Sequence, residues 1–528
     1  MKILREGWGF FLLFIVATVL QFALARQHSL WADEFFSLAM ATGHSLEHRA
    51  ADAQPHLGDF VESQVPVPAA EFRRYLQHES PPASPVRVIR AVLLSDTSPP
   101  LYYLLLEGWT LVFGTTDLAL RLFSVSFSIA SLPLVAAVAR RIAGPRAALA
   151  SCVLFALSPL VIYYSTEGRM YSLLVFLTLG TALVSLLLQE RGPRVGICLL
   201  WVVLSAAGFL THYFFVFPWL ANAVFLFLQP GKFQRRWLLL CGVATGLIIL
   251  PWIWMAAGTF NSWKVTQGWL NWEPMGFDRT RGLVAQFTQF FLSEGDGLWR
   301  TPRWSKIFAL VLFALATALA AGRVPQQLFS GGRLLLWLWL IAGCAGPTAI
   351  DLLQHTYTAA VPRYALGGVP AACLLGGILL SSVGPNRGGI LLCLVVVAWL
   401  PGLYNLYRQK SRIGEPVREM AQAISATANP SDLVLIHSIP SGVVGVARYV
   451  RTSAALASWV GQLGTRRVPE SLQTLAHGRT RILLVKVHEV GAPAPEEHWL
   501  RANAVVVNEK HIQAIDVIDF APKTTSTF

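Results

Sequence analysis

Charge is scarce in this chain: Asp, Glu, Lys and Arg make up 13% of 528 residues, against 54% hydrophobic, and only 29 residues are acidic against 42 basic. Apolar windows of membrane-spanning length recur from the N-terminus to about residue 405, so the composition defines a multi-pass membrane protein. The formal charge of +13 needs no nucleic acid, because Lys and Arg retained near anionic lipid on the cytoplasmic side account for it. Cysteine is sparse too. The six, at 152, 198, 241, 344, 373 and 393, all fall inside apolar segments, which argues against a disulfide framework. There is no internal repeat and no low-complexity tract, and the polar tail carries neither a Gly-rich phosphate loop nor a zinc-spaced cluster.

What is present begins with Lys2 and Arg5 ahead of an apolar run over 8–24. Its ending, Ala23-Leu24-Ala25, resembles a signal-peptidase site, but the run exceeds the roughly 7 to 15 residues of a signal core, so an uncleaved first helix is expected. Spans are then expected at 8–26, 117–139, 147–164, 171–189, 195–211, 213–229, 237–257, 306–322, 334–353, 362–382 and 388–405, about eleven in all. Segment 98–114 starts with Pro-Pro, carries Glu107 and has room for only about 20 Å of helix against a core of about 30 Å. It reads as an interfacial or re-entrant helix.

With that segment left uncrossed, Arg140, Arg141, Arg146, Arg191, Arg194, Lys232, Arg235, Arg236, Arg323, Arg333 and Arg387 fall in cytoplasmic loops, with the N-terminus on the same side. The stretch 258–305, assigned outside, runs against the rule with Lys264, Arg279, Arg281, Arg300 and Arg303. The expected architecture is an all-α polytopic membrane domain, 1–410, followed by a small soluble α/β domain, 411–528, on the outer face. Outer loops span 27–116, with surface helices near 34–50 and 69–78, and 258–305. In the tail a helical run at 416–427 alternates with β-branched runs at 432–437, 481–487 and 504–507.

This sidedness gathers the unusual polar residues on one membrane face: Asp33, Glu34, Asp96, Glu167, Arg169, Tyr171, His212, His355, Arg363 and Tyr364. Carboxylates beside a membrane helix are costly, and in company with Arg, His and Tyr they suit proton abstraction from a hydroxyl while cations hold an anionic leaving group. Arg pairs bidentately with phosphate and keeps its charge at low dielectric, so Arg169 and Arg363 are better anion ligands than any Lys. Each residue also has a structural reading: Asp33-Glu34 as a helix-end charge pair, Asp96 as the cap of the helix after Pro99, Glu167 and Arg169 as an ion pair, His212 and His355 as satisfied interfacial side chains. Trp263, Trp269, Trp272, Trp299 and Trp304 fit interfacial anchors as well as sugar platforms. No cofactor is certain from these side chains; a divalent metal is the candidate, since Asp33, Glu34, Asp96, Glu167 and His212 could supply donors, without a spacing that fixes a geometry.

The order of motifs resembles the lipid-phosphate-sugar-dependent glycosyltransferases of the protein O-mannosyltransferase and aminoarabinose-transferase superfamily, chiefly over residues 8–230. It rests on Asp33-Glu34 after the first helix, Asp96-Thr97-Ser98-Pro99-Pro100-Leu101-Tyr102-Tyr103, Arg121, Ser158-Pro159, Tyr164-Ser165-Thr166-Glu167-Gly168-Arg169-Met170-Tyr171, His212-Tyr213 and Arg363-Tyr364. The resemblance implies the C-type glycosyltransferase (GT-C) fold, a polyprenyl-phosphate-linked donor, and inverting transfer on the outer, periplasmic or extracellular face of an inner membrane, with Asp33 as base. Glu34 would assist it, Arg169, Arg363, Tyr364 and His212 would hold the donor phosphate, and Asp96, Glu167, Tyr171, Tyr103 and His355 would support. Ser98 departs from the pattern, since many relatives carry His before the two prolines; any donor-phosphate or metal role of that position is in doubt. The expected partners are the lipid-linked donor, a glycan, lipid or protein acceptor and membrane lipids, with the chain a monomer. A lipid-headgroup transporter or flippase without bond chemistry is the alternative, and a membrane-anchored scaffold whose tail is the working part is a third.

Overall fold

A computed structural model of the chain describes residues 2–96, 98–229, 231–259, 262, 264, 279–292, 303–323, 328–409, 411–488, 494–523 and 528. Trp263, Trp269, Trp272 and Trp299 lie outside these residues, as does most of the expected outer loop 258–305; the side chain of Trp304 also lies outside what is described. The chain divides into two compact units. One comprises Met1–Arg26, Arg121–Trp254 and Gly268–Arg408, the other Gln27–Leu120, Met255–Gln267 and Gln409–Phe528.

The first unit is helical and apolar. Among the described residues six helices are long and apolar enough to cross a membrane: Gly7–Gln27, Asp117–Ala143, Tyr171–Arg191, Arg235–Thr259, Gly332–Gln354 and Pro385–Arg408. A seventh span results if Pro145–Leu157 and Pro159–Ser165, bent by 60° at Ser158, count as one. This corrects the expected eleven. Three of the remaining candidates form short apolar helices, Val195–Phe209, Tyr213–Leu228 and Val369–Ser382, and the fourth is the apolar stretch Leu310–Gly322 of the helix Arg303–Arg323. At 1.5 Å per residue a 15-residue helix reaches only about 22 Å, short of a core of about 30 Å. Leu239, Leu247 and Trp254 stand exposed along Arg235–Thr259, an apolar surface that lipid, and not water, would solvate. With no hydrophobic drive between helices in lipid, close backbone approach holds them together. Val369–Ser382 packs tightly on Pro145–Leu157, where a Cβ on Gly377 would fall 2.3 Å from the Ser151 hydroxyl.

The second unit joins the segment after the first helix to the C-terminal domain. We label its principal elements α1 (Ala32–Ala41), α2 (Pro85–Ser95), α3 (Leu101–Phe113), α4 (Val417–Thr427), β1 (Leu433–His437), α5 (Pro440–Tyr449), β2 (Ala455–Trp459), α6 (Glu470–Ala476), β3 (Ile482–Lys486), α7 (Pro495–Asn503), β4 (Ala504–Ile512) and β5 (Ile515–Pro522). The five strands form one sheet in the order β2-β1-β3-β5-β4, with β1 parallel to β2 and β3, and β5 antiparallel to β3 and β4. Strand β1, Leu-Val-Leu-Ile-His, is buried at every position, as a parallel strand covered on both faces must be. Leu433, Leu435, Trp459, Leu472, Leu484 and Phe520 belong to the core on one of those faces. The edge at β2 is covered from far away in sequence: Val67 and Leu456 exchange two backbone hydrogen bonds of 2.8 Å. The expected tail helix and the three expected strands are therefore present, with β2 and β5 in addition.

Candidate active site

Helix α1 carries the acidic pair and separates its two members. Of its ten residues all but Asp33 are buried. Glu34, fully buried, turns back to accept the Trp31 N–H at 3.3 Å, which satisfies a helix-end donor and uses the carboxylate structurally. Asp33, in the first turn, is the member of the pair that is only partly buried.

Two groups of residues from the same unit fix α1 in place. On one side α1 packs on α2 and α3, which flank the Asp96-to-Tyr103 motif. The Tyr103 hydroxyl donates to Asp96 at 2.9 Å, and the neighbouring Ser95 accepts from the Leu46 N–H at 3.2 Å. Glu47, buried, and Asp96 both act electrostatically on Lys264; burial lowers the Lys264 pKa and the two carboxylates oppose that shift without cancelling it. The sequence reading treats Lys264 only as a loop charge, and nothing local in the sequence marks its pairing with carboxylates at 47 and 96.

On the other side Asp117 accepts from Arg448 Nε at 2.8 Å, from Arg418 at 2.8 Å and from the Tyr449 hydroxyl at 2.6 Å. The same Tyr449 oxygen accepts the Leu30 N–H at 2.8 Å, three residues before Asp33. A half-buried carboxylate holding two guanidinium groups and a phenol thus anchors the entry to α1.

The first unit holds the other candidates. Glu167 is fully buried and Arg169, Tyr171 and His212 nearly so. The turn after Pro159–Ser165 is set by an Arg169 N–H to Glu167 carbonyl bond of 2.7 Å, and the Ser124 hydroxyl holds the Arg169 carbonyl at 3.1 Å. Aromatic rings link the motifs: Tyr164 to Tyr171 at 5.2 Å, Tyr171 to His212 at 6.2 Å and His212 to Tyr364 at 6.5 Å. His212 Nδ1 accepts the Phe214 N–H at 3.0 Å, so a neutral ring carries its proton on Nε2. Arg121, fully buried, donates to the Ala25 carbonyl at 3.2 Å and ties its helix to the end of the first.

Arg363 and Tyr364 follow a segment gathered by the buried Asp351, with Gln286 donating to the Ala359 carbonyl at 2.7 Å and Arg279 to the Thr356 carbonyl at 3.0 Å. Asp351 accepts from the Thr356 hydroxyl at 2.7 Å, the Thr358 N–H and hydroxyl at 2.6 Å each, and the Ala359 N–H at 2.7 Å. His355, in contrast, is the exposed left-handed residue ending Gly332–Gln354, and its carbonyl accepts from Arg279 at 2.8 Å. It joins none of the ring contacts that connect Tyr171, His212 and Tyr364. Among the described residues no three His, Cys, Asp or Glu side chains gather as a metal site.

One unit thus holds a carboxylate singled out by its exposure, and the other cations among aromatic rings, in a bundle of apolar helices. Two comparisons with known proteins bear on this arrangement. Residues 97–254 match the family of dolichyl-phosphate-mannose-protein mannosyltransferases. The chain is similar at 13% identity to ArnT from Cupriavidus metallidurans over 99% of both chains, with a TM-score of 0.60 to the apo state. To the form bound to undecaprenyl phosphate the TM-score is 0.59, again at 13% identity over 99% of both chains. At this identity the likeness to ArnT shows a shared fold, and the family match covers less than half of the chain. No curated protein sequence matches it.

Proposed function

We propose that the chain transfers a sugar from a polyprenyl-phosphate-linked donor to an acceptor hydroxyl, with inversion, on the outer face of an inner membrane. Asp33 removes the hydroxyl proton as the oxygen attacks the sugar C1, and the bond from C1 to the phosphate oxygen breaks. Arg169 and Arg363 receive the departing phosphate's charge, with His212 and Tyr364 as hydrogen-bonding neighbours and Tyr171 and Glu167 as support. Glu34 fixes the start of α1, and Asp96 and Tyr103 flank it. The orientation proposed puts the N-terminus in the cytoplasm and residues 411–528 outside, and the chain acts as a monomer.

The observation that carries this reading is the partial exposure of Asp33 in a helix whose other residues are all buried. A solvated helix-end pair would expose both carboxylates; here Glu34 is used by the backbone and Asp33 is not buried. Mass spectrometry of membrane lipids and envelope glycans, with and without the chain, tests the proposal. The expected result is loss of one sugar from one acceptor while its polyprenyl-phosphate form accumulates. A redistribution of an intact lipid between leaflets, with no glycan changed, would favour a flippase and contradict transfer.

A further inference from the structure

Helix α5 of the C-terminal domain carries no group of the proposed transfer chemistry, yet it packs directly on α1, the helix of Asp33. Gly445 and Tyr449 stand four positions apart in α5 and so share one face of it. A Cβ at Gly445 would fall 2.5, 2.9 and 3.1 Å from atoms of the Phe35 ring, too close for any other residue unless the ring moves. Gly445 is not among the positive-φ glycines, so close approach, and not backbone freedom, requires glycine here.

Tyr449 completes the seat. Its ring meets the Phe35 ring edge to face at 6.4 Å, and its hydroxyl oxygen accepts the Leu30 N–H at 2.8 Å while donating to Asp117 at 2.6 Å. The Arg418 guanidinium lies 5.3 Å from the centre of the same ring. One face of α5 therefore grips the chain on both sides of Asp33, at Leu30 before it and at Phe35 after it. Successive residues of an α-helix are turned by about 100°, so Asp33 and Phe35 point about 200° apart. With Phe35 seated on α5 the rotation of α1 is fixed. Asp33, the one residue of that helix not buried, is thereby held to one direction.

We propose that Gly445 and Tyr449 are positioning residues of the transfer reaction: α5 locks the rotation of α1 through Phe35 and so sets the direction from which Asp33 meets the acceptor hydroxyl. This inference rests on the assignment of Asp33 as base. Displacing a reacting group by about 1 Å can cost about a hundredfold in rate, and a methyl group at position 445 forces a displacement of that order, since carbon atoms in contact sit about 3.5 to 4.0 Å apart.

The test uses the full chain, purified in detergent as wild type, Asp33→Asn, Gly445→Ala, Gly445→Ala with Phe35→Leu, Tyr449→Phe, and Gly108→Ala as a control in α3 where a Cβ meets nothing within 4 Å. The donor is the tritium-labelled polyprenyl-phosphate sugar extracted from cells lacking the chain, and membranes of those cells supply acceptor. Alanine favours a helix over glycine, so neither alanine weakens the helix that carries it. Gly445→Ala should lower kcat at least about tenfold with donor KM within about twofold, and adding Phe35→Leu should restore part of the rate. Tyr449→Phe, which adds no atom, should lower kcat less, and Gly108→Ala should leave it unchanged. A folded Gly445→Ala chain with wild-type kcat, a loss that Phe35→Leu does not relieve, or an equal loss in Gly108→Ala overturns the proposal. Should Gly445→Ala fail to fold, wild-type kcat in Tyr449→Phe overturns it and a lowered kcat at unchanged donor KM supports it. If Asp33→Asn is inactive where the proposal fails, only this inference has failed; if Asp33→Asn also turns over normally, the base assignment has failed with it.

Discussion

The two units hold their candidate residues by different means. In the membrane unit the segment leading to Arg363 and Tyr364 is gathered by one buried acid, Asp351, whose partners lie within eight residues of it, and Gln286 and Arg279 add bonds to the Ala359 and Thr356 carbonyls. In the other unit the helix bearing Asp33 is fixed by Asp117, whose partners Arg448 and Tyr449 are 331 and 332 residues away. Low dielectric explains the first arrangement: a carboxylate among apolar helices must be fully satisfied close by. The second unit can draw on a separate α/β domain. The proposed base is thus anchored by long-range polar contacts, and the segment leading to Arg363 by a local turn with two long-range bonds added.

Removing each anchor should break the molecule in a different way. Asp351→Ala has the larger expected effect, because it leaves several buried donors unsatisfied at once. We expect a loss of about 4 kcal/mol, read as a lower thermal midpoint in detergent, and among surviving molecules a higher donor KM from the disordered Arg363 loop. Asp117→Ala should cost about 3 kcal/mol, since it strands two guanidinium groups that are partly solvated. Its kinetic mark should fall on kcat instead, because the entry to α1 is loosened while the Arg363 loop is untouched. Equal effects of both variants on KM and kcat would erase the distinction between the two anchors.

The same contrast explains what was legible in the sequence. Asp33 and Glu34 stand out because carboxylates are rare beside a membrane helix, and residues 417–427 because their apolar spacing is helical. Segment 98–114 reads as too short to cross, and the helix it contains, Leu101–Phe113, has 13 residues. The span count fails because hydropathy reports composition and not where a helix stops: Val195–Phe209 ends just before Thr211-His212, and Val369–Ser382 starts only after the Arg363 loop. Strand β2, Ala-Leu-Ala-Ser-Trp, lacks the β-branched residues that announce a strand. Strand β5 was hidden by Asp516 and Asp519, which interrupt its apolar alternation. Asp117, Gly445, Tyr449 and Lys264 carry no local signature. Their meaning lies in partners that only the fold supplies.

The central claim is that Asp33, and not its neighbour Glu34, does the chemistry. The direct measurement is the transfer rate of Asp33→Asn, a nearly isosteric change that removes the base and keeps the helix. The account predicts a folded protein with the wild-type thermal midpoint, unimpaired binding of the labelled lipid donor and a rate lowered by at least about a hundredfold. A folded Asp33→Asn chain that transfers sugar at the wild-type rate would contradict it.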